Sequence, residues 1–72
     1  MLHLRTNLPA DLLTPFFSDR LQTNVDLRRT EHGYLMNCKP TPFYLNWVRS
    51  IHDAYVVYYR DIPILIQPLS KL

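Results

Sequence analysis

The sequence predicts a small α+β domain in which an antiparallel sheet packs against two helices, in the order β-α-β-β-α-β of a ferredoxin-like sandwich. Three observations lead to this prediction. Several short segments alternate apolar and polar residues, two longer segments repeat apolar residues at helical spacing, and prolines with a single glycine separate them. The 72 residues, 47% hydrophobic and 19% charged, are expected to form one domain over residues 1–72 with a packed core.

The first strand and the first helix are predicted close to the N-terminus. Leu2 and Leu4 alternate with polar residues, so both should face inward from a short strand. Asn7 is a favourable N-cap residue, and a helix is expected from Pro9 to Leu21.

A proline interrupts the apolar stripe of this first helix. The stripe has a four-residue repeat and consists of Leu13, Phe17 and Leu21. Pro15 lacks the N–H that an uninterrupted helix uses, so we expect a broken helix, in which Pro15 either kinks the helix or restarts it with Thr14 as the new cap.

A β-hairpin is predicted in the middle of the chain. Its strands are residues 25–29 and 34–38, and Gly33 is expected to supply a left-handed residue in the connecting loop. Val25 and Leu27 should share one face of the hairpin. The sequence leaves two registers open for the residues that join them, either the set Tyr34, Met36 and Cys38 or the set around Leu35.

The second helix is predicted to begin with Thr41 as N-cap and Pro42 in its first turn. Its apolar stripe consists of Tyr44, Trp47, Val48, Ile51 and Tyr55. The segment from Ala54 to Tyr59 can continue this helix or form an extra strand, and its β-branched and aromatic residues favour an end of the helix before Val56. A final strand follows at residues 62–66, with Pro63 at its start or on an edge.

Composition and charge argue against several classes of protein. One cysteine permits no internal disulfide and suits a reducing compartment, so a cytoplasmic location is expected. The N-terminus lacks the apolar run of a signal peptide. Arg60 and Asp61 interrupt the most hydrophobic stretch, which is therefore expected to be core rather than a membrane segment.

The sequence contains only weak evidence for a catalytic site or a metal site. Cys38, with His32 or His52 and Asp53, supplies the residue types of a thiol nucleophile, but no local signature connects them. The histidines and Cys38 also lack the close spacing that organises metal ligands. We therefore expect no enzyme activity, no metal and no cofactor.

Protein–protein interaction is the function that the composition favours. Aromatic residues are concentrated in the second half of the chain, and tryptophan, tyrosine and arginine are the residue types that most often anchor interfaces. A domain this small cannot bury all of them. The expected contact residues are Trp47, Tyr58, Tyr59, Arg28 and Arg29. The expected partner is a larger protein or a second copy of the chain, for which this protein would act as an accessory subunit, regulator or inhibitor.

The alternative function is binding of nucleic acid by a small regulator. A two-stranded ribbon can enter a major groove, and arginines can hold phosphates. The residues expected to contact nucleic acid are Arg28, Arg29, His32 and Lys39. Tyr34 could stack on an unpaired base. The net charge of only +2, and the acidic Asp26 and Glu31 among the basic residues, weaken this alternative.

Overall fold

The computed structural model of the chain describes residues 2–51 and 55–69. They form five strands and two helices in the order β-α-β-β-α-β-β. The elements are β1 (Leu2–Arg5), α1 (Ala10–Leu21), β2 (Val25–Arg29), β3 (Gly33–Cys38), α2 (Pro42–Ser50), β4 (Tyr55–Tyr59) and β5 (Ile62–Pro68). The predicted α+β class, with an antiparallel sheet and two helices, is confirmed.

All five strands form one antiparallel sheet in the order β2-β3-β1-β5-β4. The ferredoxin-like arrangement is wrong, because that sandwich has four strands and its second helix leads directly into the last one. Here α2 is only nine residues long, and β4 comes between it and β5. The aromatic and β-branched residues of β4 favour extended structure, so they add a strand at the sheet edge instead of prolonging α2.

Both helices lie on the same face of the sheet, called here the helix face. Cross-strand pairing places Leu2 beside Met36 and Leu4 between Tyr34 and Ile66 on this face. These side chains are buried in one cluster with residues of α1 and α2. The helix residues that contribute fully buried or nearly buried side chains to this core are Leu13, Phe17, Leu21 and Tyr44. The core thus fills the space between the sheet and the two helices.

The first helix is continuous, contrary to the predicted break at Pro15. The helix begins after Pro9, which is extended and acts as N-cap, so neither Asn7 nor Thr14 has the predicted capping role. Pro15 lies on the exposed side, whereas the stripe of Leu13 and Phe17 is buried against the sheet. Burial of this stripe offsets the loss of one helical hydrogen bond at Pro15.

The β2–β3 hairpin is confirmed, and its register selects the set Tyr34, Met36 and Cys38 for the face of Val25 and Leu27. The role predicted for Gly33 is wrong, since its φ is not positive. Gly33 is instead needed for a close backbone approach to β1. A β-carbon at residue 33 would lie 1.9 Å from the carbonyl oxygen of Leu4, a distance that no side chain could tolerate.

The second helix has the predicted start. The hydroxyl of Thr41 accepts a hydrogen bond from the backbone N–H of Tyr44 at 3.2 Å, and Pro42 occupies the first turn. The helix ends at Ser50, and the expected extended structure after it is confirmed for residues 55–59, with Ala54 outside the described residues.

A two-residue turn joins β4 to β5. Its residues Arg60 and Asp61 both have positive φ, at 47° and 70°, as a type I′ turn requires. Pro63 is the second residue of β5 and lies beyond the end of β1, so its missing N–H disrupts no pairing with that strand.

The close approach at Gly33 leads to a first prediction. Gly33→Ala should lower the free energy of unfolding by about 3 kcal/mol, because the new methyl group must displace the central strand β1. In an unobstructed strand the same substitution would stabilise the protein by about 0.5–1 kcal/mol. Urea denaturation measures the difference. Glu31→Ala, in the exposed loop of the same hairpin, is the control and should leave the midpoint unchanged.

Candidate functional site

The two edges of the sheet differ in charge. The edge strand β2 has the sequence Val-Asp-Leu-Arg-Arg, in which three of five residues are charged. The opposite edge strand, β4, has the sequence Tyr-Val-Val-Tyr-Tyr, with neither a charge nor a proline. Charged residues on an edge strand discourage pairing with another chain, and an uncharged exposed edge permits it. Among the described residues, β4 is therefore the edge best suited to pair with another strand.

The face of the sheet opposite the helices is uncovered in the described residues and is called here the open face. Cross-strand pairing places Arg28, Leu35 and His3 in one row across it, and Arg5 and Leu65 in the next. Val56 pairs with Leu65, and Tyr58 pairs with Pro63, on the same face. The β2 side of the open face is thus polar, with the acidic Asp26 on the same face as Arg28, and the β4 side is apolar.

The apolar end of the open face consists of Val56, Tyr58, Pro63 and Leu65, called here the apolar corner. The side chain of Tyr58 is 63% exposed, and Val56 and Pro63 are exposed beside it. Three of the eight large apolar side chains that are exposed among the described residues belong to β4, namely Tyr55, Val56 and Tyr58. The uncharged edge and the largest concentration of exposed apolar side chains therefore coincide.

A row of aromatic rings supports β4 from the helix face. Tyr59 contacts Phe16 edge to face at 5.3 Å between ring centroids, and Phe16 contacts Phe17 at 5.0 Å. Phe17 stacks on Trp47 at 6.1 Å, and Trp47 contacts Tyr55 at 6.5 Å. Aromatic pairs in these geometries stabilise structures by about 0.5–1.5 kcal/mol each beyond their burial. Both helices thereby hold the edge strand in place.

The structure separates the residues that were predicted as contacts. Of the three aromatic residues in this set, Trp47 and Tyr59 are half-buried in the aromatic row, and Tyr58 is exposed on the surface. Arg28 is exposed on the open face, but it lies on β2, four strand spacings or about 19 Å from Tyr58 on β4. The predicted contact set is therefore divided between the two sides of the sheet and does not form a single cluster.

Arg28 and Arg29 point to opposite faces, as neighbours in a strand must. The guanidinium of Arg29 donates a hydrogen bond to the Tyr34 hydroxyl at 2.9 Å and lies 5.2 Å from the Tyr34 ring centre. The Tyr34 hydroxyl in turn donates to the carbonyl of Leu8 at 2.8 Å. Tyr34 is 3% exposed, so the suggestion that it stacks on an unpaired base is wrong.

The other two residues of the nucleic-acid hypothesis are exposed at different places. His32 lies in the β2–β3 loop, 4.0 Å from the carboxylate of Glu31, and Lys39 follows the far end of β3. His32 and Glu31 border a cleft of about 560 Å³ at the end of the sheet. The complete lining is Arg5, Thr6, Asn7, Leu8, Glu31, His32, Ile62 and Pro63. The Thr6 hydroxyl accepts a hydrogen bond from the Leu8 N–H at 3.1 Å, which gives it a structural role there.

His3 is a buried titratable group on the open face. It is 8% exposed, and its Nε2 lies 3.1 Å from the hydroxyl of Thr30 in a hydrogen bond that ties β1 to the hairpin. Its Nδ1 is buried with no hydrogen-bond partner among the described residues. Burial, together with the nearby charges of His32 and Arg5, lowers the pKa of His3. The folded state therefore favours the neutral form of the His3 side chain.

Cys38 does not have the properties of an activated nucleophile. It is half-buried opposite Val25, and burial raises the pKa of its thiol. His52 and Asp53, which could have accompanied it, lie outside the described residues. In residues 2–51 and 55–69, no three His, Cys, Asp or Glu side chains are grouped to hold a metal ion. Within the same ranges, no helix is long and apolar enough to cross a membrane.

Two features of this surface were missed by reasoning from the sequence. Val56 joins Tyr58 on the open face, and Arg5 lies on the same face as Arg28. The alternation within 55–59 would have placed Val56 and Tyr58 together once that segment was known to be a strand. Arg5 belongs to the polar half of an alternating pattern, but its position near Arg28 depends on β1 pairing with β3.

Comparison of the chain with protein-family models, curated proteins and solved structures finds no match.

The two buried tyrosines give a matched test of the Arg29 contact. Tyr34→Phe should lower the free energy of unfolding by about 1–3 kcal/mol, because it leaves the Leu8 carbonyl without its donor and frees Arg29. The Tyr44 hydroxyl is buried without a partner among the described residues. Tyr44→Phe should therefore leave stability unchanged or raise it by up to about 1 kcal/mol. Equal losses in the two variants, measured by urea denaturation, would contradict this description.

The lowered pKa of His3 makes stability depend on pH. Because the unfolded chain binds a proton at His3 more readily than the folded chain, stability should fall as pH drops below the ordinary histidine pKa of 6.5 and towards the folded value. His3→Gln removes this titration and keeps an amide able to bond Thr30, so its stability should change less with pH. His32→Gln removes one of the charges that lower this pKa and leaves the burial of His3 in place, so it should lessen the pH dependence without abolishing it. Thermal unfolding between pH 5 and pH 7, about the range of histidine titration, measures it.

Proposed function

We propose that the protein is a non-catalytic interaction module that binds another protein through the edge of β4 and the apolar corner beside it. The observation that carries this proposal is the coincidence of an uncharged edge strand with exposed apolar side chains. An accessory subunit or a regulator or inhibitor of a larger protein would need this kind of surface and no reaction chemistry. A cytoplasmic location is proposed with it, since the single cysteine suits a reducing compartment.

The backbone of β4 supports a partner that adds a strand. The two-residue turn makes Tyr59 and Ile62 a hydrogen-bonded pair, and such pairs alternate along an antiparallel ladder. Val56 and Tyr58 consequently direct their N–H and carbonyl groups away from β5, to the outer side of the sheet. An added strand would satisfy these groups, and side chains at alternate positions would supply specificity.

The side chains of β4 support both recognition and rigidity. Tyr58 offers a large ring with few rotatable bonds, which is the type of residue that anchors interfaces at a small entropic cost. The aromatic contacts of Tyr55 and Tyr59 with Trp47 and Phe16 hold the strand before a partner arrives. Little of the binding energy would then be spent on ordering β4.

A pull-down from the native cell lysate tests the proposed function. The tagged full chain is compared with Val56→Lys, which puts a charge on the edge strand, with and without nuclease treatment. A protein partner bound through β4 should be recovered in stoichiometric amount in both nuclease arms and be lost at least about tenfold with Val56→Lys.

The matched control is Asn37→Lys, which adds the same charge to the open face on β3, three strands away from β4. This variant should recover the partner like the unmodified chain. Equal recovery with Val56→Lys and the unmodified chain would refute β4 as the binding edge. Both variants must show the unfolding midpoint of the unmodified chain, because Val56 and Asn37 are exposed.

Nucleic-acid binding is the second candidate, and one observation favours it: Arg5 and Arg28 lie on the same open face in adjacent rows. Phosphate contacts by these arginines would make affinity fall steeply as the salt concentration rises. In this case Arg28→Gln should weaken binding to a mixed-sequence RNA or DNA, and Asn37→Lys should strengthen it. An aromatic protein interface would respond to neither substitution and would depend little on salt.

A further inference from the structure

We propose that the partner of the β4 edge is a second copy of this chain, with the two β4 strands paired antiparallel about a two-fold axis at Val57. This inference rests on the proposed function, because it takes β4 to be the interaction edge, and it adds the identity of the occupant. The two sheets would join into a single sheet of ten strands, five from each copy.

The backbone of β4 is self-complementary in this register. With Val57 opposite Val57 of the second copy, Val56 is opposite Tyr58 of the second copy, and the reverse pair follows by symmetry. Val56 and Tyr58 are the residues whose N–H and carbonyl groups point outward from β5. The two symmetric pairs of Val56 with Tyr58 can therefore both be hydrogen-bonded pairs. The pair of Val57 residues on the axis is then a non-hydrogen-bonded pair, because the two kinds of pair alternate along an antiparallel ladder.

The side chains are complementary in the same register. On the open face, each Val56 lies opposite a Tyr58, and aromatic residues pair favourably with β-branched residues across antiparallel strands. On the helix face, each Tyr55 lies opposite Tyr59 of the second copy. The aromatic row that ends at Tyr55 and Tyr59 in one chain would thus continue into the other. Within residues 55–59, no charged side chain faces another.

The distribution of charge between the edges explains why assembly would stop at two copies. A two-fold contact uses the same edge of both chains, so both uncharged β4 edges are covered at once. The combined sheet then ends on both sides in β2, where Asp26, Arg28 and Arg29 discourage further pairing. If β4 of one copy paired with β2 of the next, the assembly would keep a free β4 edge at one end and a free β2 edge at the other. Further copies could then add without limit.

The size of the chain is a further argument for self-association. A domain near 60–70 residues buries only about 60% of the surface that its unfolded chain exposes, so burial of a further part of its surface adds to its stability. Pairing of the two β4 strands leaves the open face uncovered but buries this edge of the sheet, and a second copy brings the complementary strand without additional sequence.

Sedimentation analysis of the purified full chain over a range of concentrations tests the inference. The mass should be twice the 8.6 kDa of the single chain, with dissociation at low concentration. Val56→Pro removes an N–H that points outward and is compatible with an edge strand, so the variant should fold. It should weaken the dimer about tenfold or more, because symmetry removes two hydrogen bonds. Asn37→Lys should leave the mass unchanged.

A charge-pair experiment tests the register. Val56→Lys and Tyr58→Glu should each yield a monomer, because each places an unpaired charge opposite an apolar residue. In the double variant, the introduced lysine of one copy faces the introduced glutamate of the other at both symmetric positions. The double variant should therefore recover the dimer, and recovery should decrease as salt rises. Double-variant chains that stay monomeric, while folded by circular dichroism, would overturn the register about Val57.

Failure of this inference can be told apart from failure of the proposed function. A chain that sediments as a monomer at every concentration, yet loses a lysate partner with Val56→Lys, overturns the second-copy proposal and supports a different protein as the occupant of β4. A dimer that persists in Val56→Pro overturns it as well, since the contact must lie elsewhere. A monomer whose lysate recovery is unaffected by Val56→Lys overturns both.

Discussion

Two short helices, of 12 and nine residues, can cover only one face of a five-stranded sheet, and the surface of this protein follows from that constraint. All the fully buried side chains lie between the helices and the helix face of the sheet or on the central strands. Within residues 2–51 and 55–69, no element covers the open face or the outer sides of the two edge strands.

The period of two residues in a strand determines which face of the sheet each of two similar neighbours occupies. Tyr59 packs on Phe16 against the core, whereas Tyr58 points to solvent on the open face. Arg28 and Arg29 are both exposed, but Arg29 donates a hydrogen bond to the Tyr34 hydroxyl on the helix face and Arg28 lies on the open face. Each hypothesis about function therefore keeps the member that lies on the open face. The protein-binding surface keeps Tyr58, and the nucleic-acid surface keeps Arg28 and includes Arg5 in place of Arg29.

Charge on the edges, rather than net charge, distinguishes the possible partners. A net charge of +2 is too small to favour a polyanion by itself. Of the two edge strands, β2 has three charged residues and β4 has none, so one edge resists pairing and the other accepts it. The aromatic row from Tyr59 to Tyr55 holds the accepting edge rigid, which reduces the entropic cost of pairing.

Local patterns in the sequence determined the element types: the alternation at Leu2 and Leu4, the Thr41-Pro42 helix start and the β2–β3 hairpin were all predicted correctly, because each depends on near neighbours. Tertiary structure decided the rest. Pro15 remains helical because the buried stripe of Leu13 and Phe17 outweighs one lost hydrogen bond. Gly33 is needed because the backbone of β3 passes close to the carbonyl group of Leu4, which is distant in the sequence. The exposed edge at β4 exists only through the strand order, which depends on long-range pairing that no local pattern contains.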